Sequence, residues 1–335
     1  MAKVPLPAGA DVPPGLWGRV LSFTPVVMTV VATLLAGLSN SELTRSLGDR
    51  TLAAQMQSKA GDQWSFFQAK KLRALETRST ADILRGTADA ETFKPAEAAA
   101  TIKELVGQMA HAGPQASPTQ PAIPDLALPP AVAEALGGQT VADAAPWQPH
   151  DPAVQKAAAA LAGGAPESTL PPLIAKVQTP ALADEINSAA EYSNQMDARS
   201  GPVGHVIDRM ESLLVNLLGA GRASGDAAVL AKALRLFNGF TIARLGYVSQ
   251  RYDTEARHNQ ATATLYEIQV RIDNASANRH SERSKQFFYG MLGAQAAVIV
   301  ASMALAVKQR DLLWSLAAAV GVAAVSFATY VYLWV

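Results

Sequence analysis

The chain has 335 residues, 28 Lys+Arg against 28 Asp+Glu, and no cysteine. Balanced charge leaves no basic face on which a nucleic acid would dock. The lack of cysteine excludes disulfides, thiolate catalysis, iron–sulfur ligation and c-type haem attachment.

Residues 1–19 read as an N-terminal tail carrying Lys3 and Arg19. Residues 20–38 then run without a charge. A secretory signal's apolar core is shorter, about 7–15 residues, and ends in a small-x-small cleavage site. This run ends Leu35-Ala36-Gly37-Leu38, with a large residue where a small one is wanted. The expectation is an uncleaved transmembrane helix, with Pro25 in its first two turns, where a kink costs least.

Residues 39–85 continue in helical pattern, with no proline between 41 and 85. Leu43, Leu47, Met56, Trp64, Phe67, Lys71 and Leu75 recur at a spacing close to 3.5–3.6. This predicts an amphipathic or coiled-coil arm continuous with the first membrane helix and ended by Gly86. The arm contains Asp62-Gln63-Trp64-Ser65-Phe66-Phe67-Gln68-Ala69-Lys70. Trp64 and Phe67 are expected to pack in a helical seam, with Gln63, Gln68 and Lys70 hydrogen-bonding across it. A ligand site at Asp62-Gln63-Trp64 is the less favoured reading.

The segment resembles the signature of an uncharacterised bacterial membrane-protein family, a domain of unknown function. Its members carry DQW-x-x-x-QAK soon after a first transmembrane helix. Asp62, Gln63, Trp64, Gln68, Ala69 and Lys70 match that pattern. The family also ends in a two-helix membrane hairpin with a short basic turn, as in Lys308-Gln309-Arg310. The resemblance covers roughly 20–85 and 180–335. It implies no activity, ligand or catalytic residue.

Residues 86–180 differ in composition: 14 of the 20 prolines fall between Pro95 and Pro180, and alanine dominates the rest. Such an Ala/Pro-rich insertion makes short helices, not one long one. Pro95 opens one, with Ile102, Leu105, Val106 and Met109 on a single face. Asp151-Pro152 caps and opens another, closed by Gly163-Gly164. The stretches 115–130 and 141–149 read as extended connectors. Large apolar residues are too few here for a separate core, so ordering is expected by packing on something else, neighbouring subunits included.

Residues 181–286 read as a helical stalk. Ala181–Arg199 is one helix, stopped by Gly201-Pro202. A broad apolar stripe follows: Val203, Val206, Ile207, Met210, Leu213, Leu214, Leu217 and Leu218. Asp226–Gln286 contains no proline and predicts a helix of up to about sixty residues, on the order of 90 Å long. Leu230, Leu234, Phe237, Leu245, Val248, Tyr252, Leu265, Ile268 and Ile272 supply its stripe. The first arm is expected antiparallel to its membrane-proximal half.

Residues 287–335 form a transmembrane hairpin, 287–307 and 312–335, around Lys308-Gln309-Arg310-Asp311. Twenty-one helical residues reach about 30 Å, the thickness of a bilayer's hydrocarbon core. The three runs hold no Asp, Glu, Lys, Arg or His, which weakens a proton relay or charged-substrate transporter. Gly293, Ala297 and Ala301 on one hairpin helix, and Ala317 and Gly321 on the other, allow close approach, although general Ala richness explains them as well. Gln295 reads as an interhelical hydrogen-bond partner. Trp17, Trp314, Tyr330, Tyr332 and Trp334 suit the aromatic interface belts. Charge counting near the membrane slightly favours a cytoplasmic large domain. The basic hairpin turn, which the family resemblance also implies, points the other way, and we expect an extracytoplasmic one.

Candidate chemistry is thin. Glu255-x-x-His258 has the spacing that di-iron bundles use, but no second pair occurs, so it reads as a solvated helix face. His205 and Asp208 read as an exposed pair, and Gly219-x-Gly221 with Gly225 as a helix–helix turn. No catalytic, cofactor or metal residue is assigned. The fold class expected is an all-α membrane protein with three transmembrane helices, long amphipathic or coiled-coil helices and an Ala/Pro-rich middle of short helices. The function expected is a non-enzymatic scaffold of a bacterial inner membrane. It is multi-pass, assembled with copies of itself and partnered otherwise by the lipid bilayer, because its apolar stripes exceed what one hairpin of helices buries. The alternatives are an oligomeric channel or pore, and an accessory subunit of a larger membrane enzyme complex.

Overall fold

The computed structural model describes residues 16–111, 129–137, 147–306 and 310–334. Outside them lie the tail before residue 16, the connectors over 115–128 and 141–146, and Lys308-Gln309. The side chains of Trp17, Arg19, Arg310 and Trp334 also lie outside. Every regular element among the described residues is a helix. They are α1 (Leu16–Thr87), α2 (Pro95–His111), α3 (Pro130–Gly137), α4 (Pro152–Ala162), α5 (Leu170–Ile174), α6 (Thr179–Ala223), α7 (Ala227–Ala306) and α8 (Arg310–Trp334). The fold class is all-α. Stretches within α1, α7 and α8 are long and apolar enough to cross a membrane.

The chain divides into two compact units, residues 1–56 with 270–335, and residues 57–269. The first holds the apolar spans. Ala32, Leu35, Phe287, Ala294, Ala324 and Val331 are buried against one another, from α1, α7 and α8. Small residues line these contacts. Ala297, Ala301 and Ala317 are at most 1 % exposed. A Cβ on Gly293 would touch that of Ala324 at 3.6 Å, and one on Gly321 would meet the flexible end of Met28. Trp314 Nε1 donates to Thr24 Oγ1 over 3.1 Å.

Beyond the apolar core, α1 and α7 pair antiparallel within this unit. Ser39 Oγ donates to Ser284 O over 2.9 Å. Seven residues on, Ser46 Oγ donates to Ala277 O, seven residues back, over 2.8 Å. His280 Nδ1 lies 2.5 Å from Glu42 Oε2.

The second unit repeats the pairing. Trp64 Nε1 donates to Glu267 Oε1 over 2.7 Å, and Ser249 Oγ donates to Ala74 O over 2.8 Å. Among the buried residues are two series in steps of seven or fourteen: Ser39, Ser46, Ala53, Ala60, Ala74 and Ala81 on α1, and Ser249, Ala256, Ala263, Val270, Ala277 and Ser284 on α7. Small side chains let two backbones approach until a hydroxyl on one reaches a carbonyl on the other. Three leucines that the periodicity selected stay outside this seam. Leu43, Leu47 and Leu75 are 45, 55 and 56 % exposed. They are too bulky for so close a seam.

The main core of the second unit corrects two further expectations. The stripe on α6 is covered within the chain. Ile207, Met210, Leu214 and Leu217 are buried with Ile102 and Leu105 of α2, Val132 and Leu136 of α3, and Val229, Phe240 and Tyr247 of α7. The described helices α2 and α3 of the Ala/Pro-rich stretch therefore pack on their own chain, as the lid of this core. Secondly, Gly201-Pro202 does not stop α6, which runs on through Pro202. Pro202 is exposed, so its ring and the missing N–H bond face outward, where the neighbouring backbone stays solvated.

The caps of α4 match the sequence. Asp151 accepts from Ala153 N and Val154 N at 2.8 and 2.9 Å, and Gly164 takes φ +66° just after the helix. At Gly239 the 88–94 connector crosses α7 so closely that a Cβ would lie 2.1 Å from Glu91 O. Phe93 then stacks edge-on against Phe240, centroids 5.4 Å apart.

Candidate functional site

Midway along α7, in the second unit, polar residues turn inward. Ser249, Glu255, His258, Asn259, Thr262 and Thr264 are all under 10 % exposed. Glu255 and His258 are thus not a solvated face. They are an enclosed carboxylate–imidazole pair one turn apart. The sequence misleads here because α7 is covered on several sides, and one-sided amphipathicity no longer marks what is buried.

Three segments close over the pair. From α1, Lys70 Nζ reaches Glu255 Oε2 at 2.9 Å. Within α7, Arg251 Nε donates to Glu255 Oε1 over 2.7 Å. Both carboxylate oxygens therefore hold a cation, which is how a carboxylate tolerates burial. From α6, the Tyr192 ring lies 5.2 Å from that of His258. Ahead of α4, Trp147 meets His258 edge-on with centroids 6.2 Å apart. Glu185 on α6 fixes this last segment: its Oε1 accepts from His150 N and Asp151 N, both at 2.7 Å. Trp147 Nε1 also donates to Ser188 Oγ, at 3.4 Å.

The electrostatics follow from the packing. Burial pushes the His258 imidazole below its ordinary pKa, and the Lys70 ammonium pushes the same way against Asp197. The ring is held neutral, and its Nδ1 is buried without a hydrogen-bond partner among the described residues. Asn259 Nδ2 and Gln250 Oε1 are in the same position. Burial lifts the Tyr247 phenol above its usual range, against the Arg251 charge and with that of Glu255. Burial also raises the Asp253 carboxyl, but donation from Lys71 and Arg257 outweighs it and leaves the group below the usual range.

Each Glu255 oxygen is engaged by one cation, Lys70 on Oε2 and Arg251 on Oε1. His258 sits in an aromatic slot, with no nucleophile within hydrogen-bonding distance among the described residues. Among the described residues no three His, Cys, Asp or Glu side chains converge as metal ligands do. The arrangement suits a register lock between α1 and α7: Lys70 and Glu255 satisfy each other only at one axial offset.

The residues singled out from the sequence are placed as follows. Trp64 and Phe67 are half-buried and meet edge-on at 5.5 Å. Lys70 crosses to α7. Gln63 is half-buried, whereas Asp62 and Gln68 are exposed. In the membrane unit Gly293, Ala297, Ala301, Ala317 and Gly321 line helix contacts, as described above. Gln295 does not: it is exposed on the outward face of α7. His258, Trp147, Tyr192 and Glu185 were missed, and only the Glu-x-x-His spacing hinted at the first of them.

Residues 17–119 match the model of a family described as a domain of unknown function (DUF4337). The chain is thus similar, over α1 and α2, to an uncharacterised family. The match takes in 86–119, a stretch outside the resemblance noted from the sequence, and ends well before the C-terminal helices. Comparison with curated proteins and with solved structures gave no match.

Proposed function

We propose that this chain is a structural protein of a bacterial inner membrane that assembles with copies of itself, its larger unit on the extracytoplasmic side. One observation carries the reading. In the second unit, Leu72, Leu75 and Ile83 share the outward face of α1, at 67, 56 and 61 % exposure. They fall outside the 20–38 apolar run, so lipid does not solvate them. Aligned apolar residues on a surface mark a protein contact. The covered stripe of α6 lends no support, so the reading rests on α1. The seven-residue spacing of Ala and Ser on α1 and α7 is the pattern of a supercoiled pair. A stiff antiparallel pair presents its outer face as a fixed surface.

The test is the behaviour of the full-length chain after mild detergent extraction. Wild type is expected as a discrete multiple of 35.1 kDa. Leu72→Glu with Leu75→Glu shifts it toward monomer without loss of helicity. A wild-type monomer overturns the reading. The two alternatives make other demands: a pore between copies requires conductance in a planar bilayer, and an accessory role requires a second, stoichiometric polypeptide.

A further inference from the structure

Among the described residues, the Gln295 amide, within the 287–307 run, makes no hydrogen bond to its own chain. Gln295 lies eight residues into the 287–307 run, roughly 12 Å along the helix from its start at 1.5 Å per residue. That places it near the middle of the hydrocarbon layer, too deep for its short side chain to reach headgroups. It points outward, and no hydrogen bond of its amide exists among the described residues.

Four exposed hydroxyls of the same spans behave differently. Thr29 donates to Pro25 O, Thr33 to Thr29 O, Ser302 to Val298 O and Thr329 to Val325 O, all at 2.8–2.9 Å. Each is silenced by the carbonyl four residues back on its own helix. The Gln295 amide, with two donors and an acceptor, is not. Its neighbours along the outward face are Leu292 and Ile299, 44 and 60 % exposed. The face is therefore apolar with one hydrogen-bonding point at its centre.

We propose that this face of α7 docks on the same face of a second copy, with Gln295 bonded to Gln295. Two physical facts select that occupant. Copies inserted with the same topology carry every residue at the same depth, so a second Gln295 is always level with the first. A primary amide is also self-complementary, each side donating and accepting once across a two-fold axis. In lipid the alternative is an amide with no partner at all, which makes such contacts specific.

The proposal rests on the self-assembly reading and refines it, so the experiment separates the two. The chain contains no cysteine, so single cysteines report contacts without background. Gln295→Cys and Leu292→Cys, on the proposed face, and Val322→Cys, on the outward side of α8, are oxidised in native membranes. Cross-linked dimer at 295 and 292, with little at 322, supports the proposal. Equal yields at all three, or none at 295, overturn it. In parallel, Gln295→Leu keeps the lipid-facing shape and removes the bond. The proposal expects its monomer–dimer midpoint to shift by about three- to fifteen-fold, the span of interhelical hydrogen bonds measured in membranes. An oligomer unchanged by Gln295→Leu, with no cross-link at 295, defeats this contact and leaves the α1 reading standing. A wild-type monomer defeats both.

Discussion

Glu255 is the residue on which most of the buried polar chemistry depends. Its two buried oxygens balance Lys70 and Arg251, whose side chains are about a third exposed. Glu255→Ala is expected to cost about 1–3 kcal/mol, because it removes the acceptor that both cations share. Lys70→Met, which leaves Arg251 on the carboxylate, should cost less. Thermal melts of the two variants check the order. His258 gives a pH signature. Its pKa in the fold lies below the ordinary 6.5, so the unfolded chain binds the extra proton first as pH falls. Stability is complete above about 6.5 and declines below it, toward the depressed folded value. Other groups titrate further down, so the comparison is with His258→Phe. The gap in melting temperature between the two proteins should change between pH 7.5 and 5.5, in favour of the variant at the acid end. Gly239 makes a steric prediction. Gly239→Ala places a methyl against Glu91 O and should cost about 1–3 kcal/mol, because backbone must shift. None of these three residues announces itself in sequence: the Glu-x-x-His spacing looks like any solvated turn, and a helical glycine looks like tolerance.

At the scale of the helices, the sequence is legible wherever burial is one-sided. The α6 stripe from Val203 to Leu218 names its own core, and Asp151 with Gly163-Gly164 brackets α4. It misleads where packing is close. Along α1 the eye falls on Leu43, Leu47 and Leu75, while the seam is Ser39, Ser46, Ala53, Ala60, Ala74 and Ala81. Alanine at every seventh position is hard to see in a chain this rich in alanine, and its value lies in being small rather than in being greasy. A paired substitution tests that inversion. Ala60→Leu adds apolar volume yet should destabilise by about 1–3 kcal/mol, by overpacking. Leu75→Ala removes exposed apolar volume and should stay within about 0.5 kcal/mol in the monomer. The opposite ranking would mean that the large residues form the seam after all.

At the scale of the whole molecule, the three apolar spans and the all-α class follow from composition and period alone, since a lipid-crossing backbone must satisfy its own hydrogen bonds. What covers the outer surfaces is not written in one copy of the sequence. The α6 stripe argues for self-sufficiency, because the Ala/Pro-rich helices fold back over it. The outward face of α1 at Leu72, Leu75 and Ile83, and Gln295 among membrane-facing apolar side chains, argue for company. The deciding measurement is the mass of the intact particle released from membranes in lipid nanodiscs or the mildest detergent. Self-assembly predicts one species at an integer multiple of 35.1 kDa, free of any second polypeptide. A stable single copy, or a particle completed by a different protein, would contradict it.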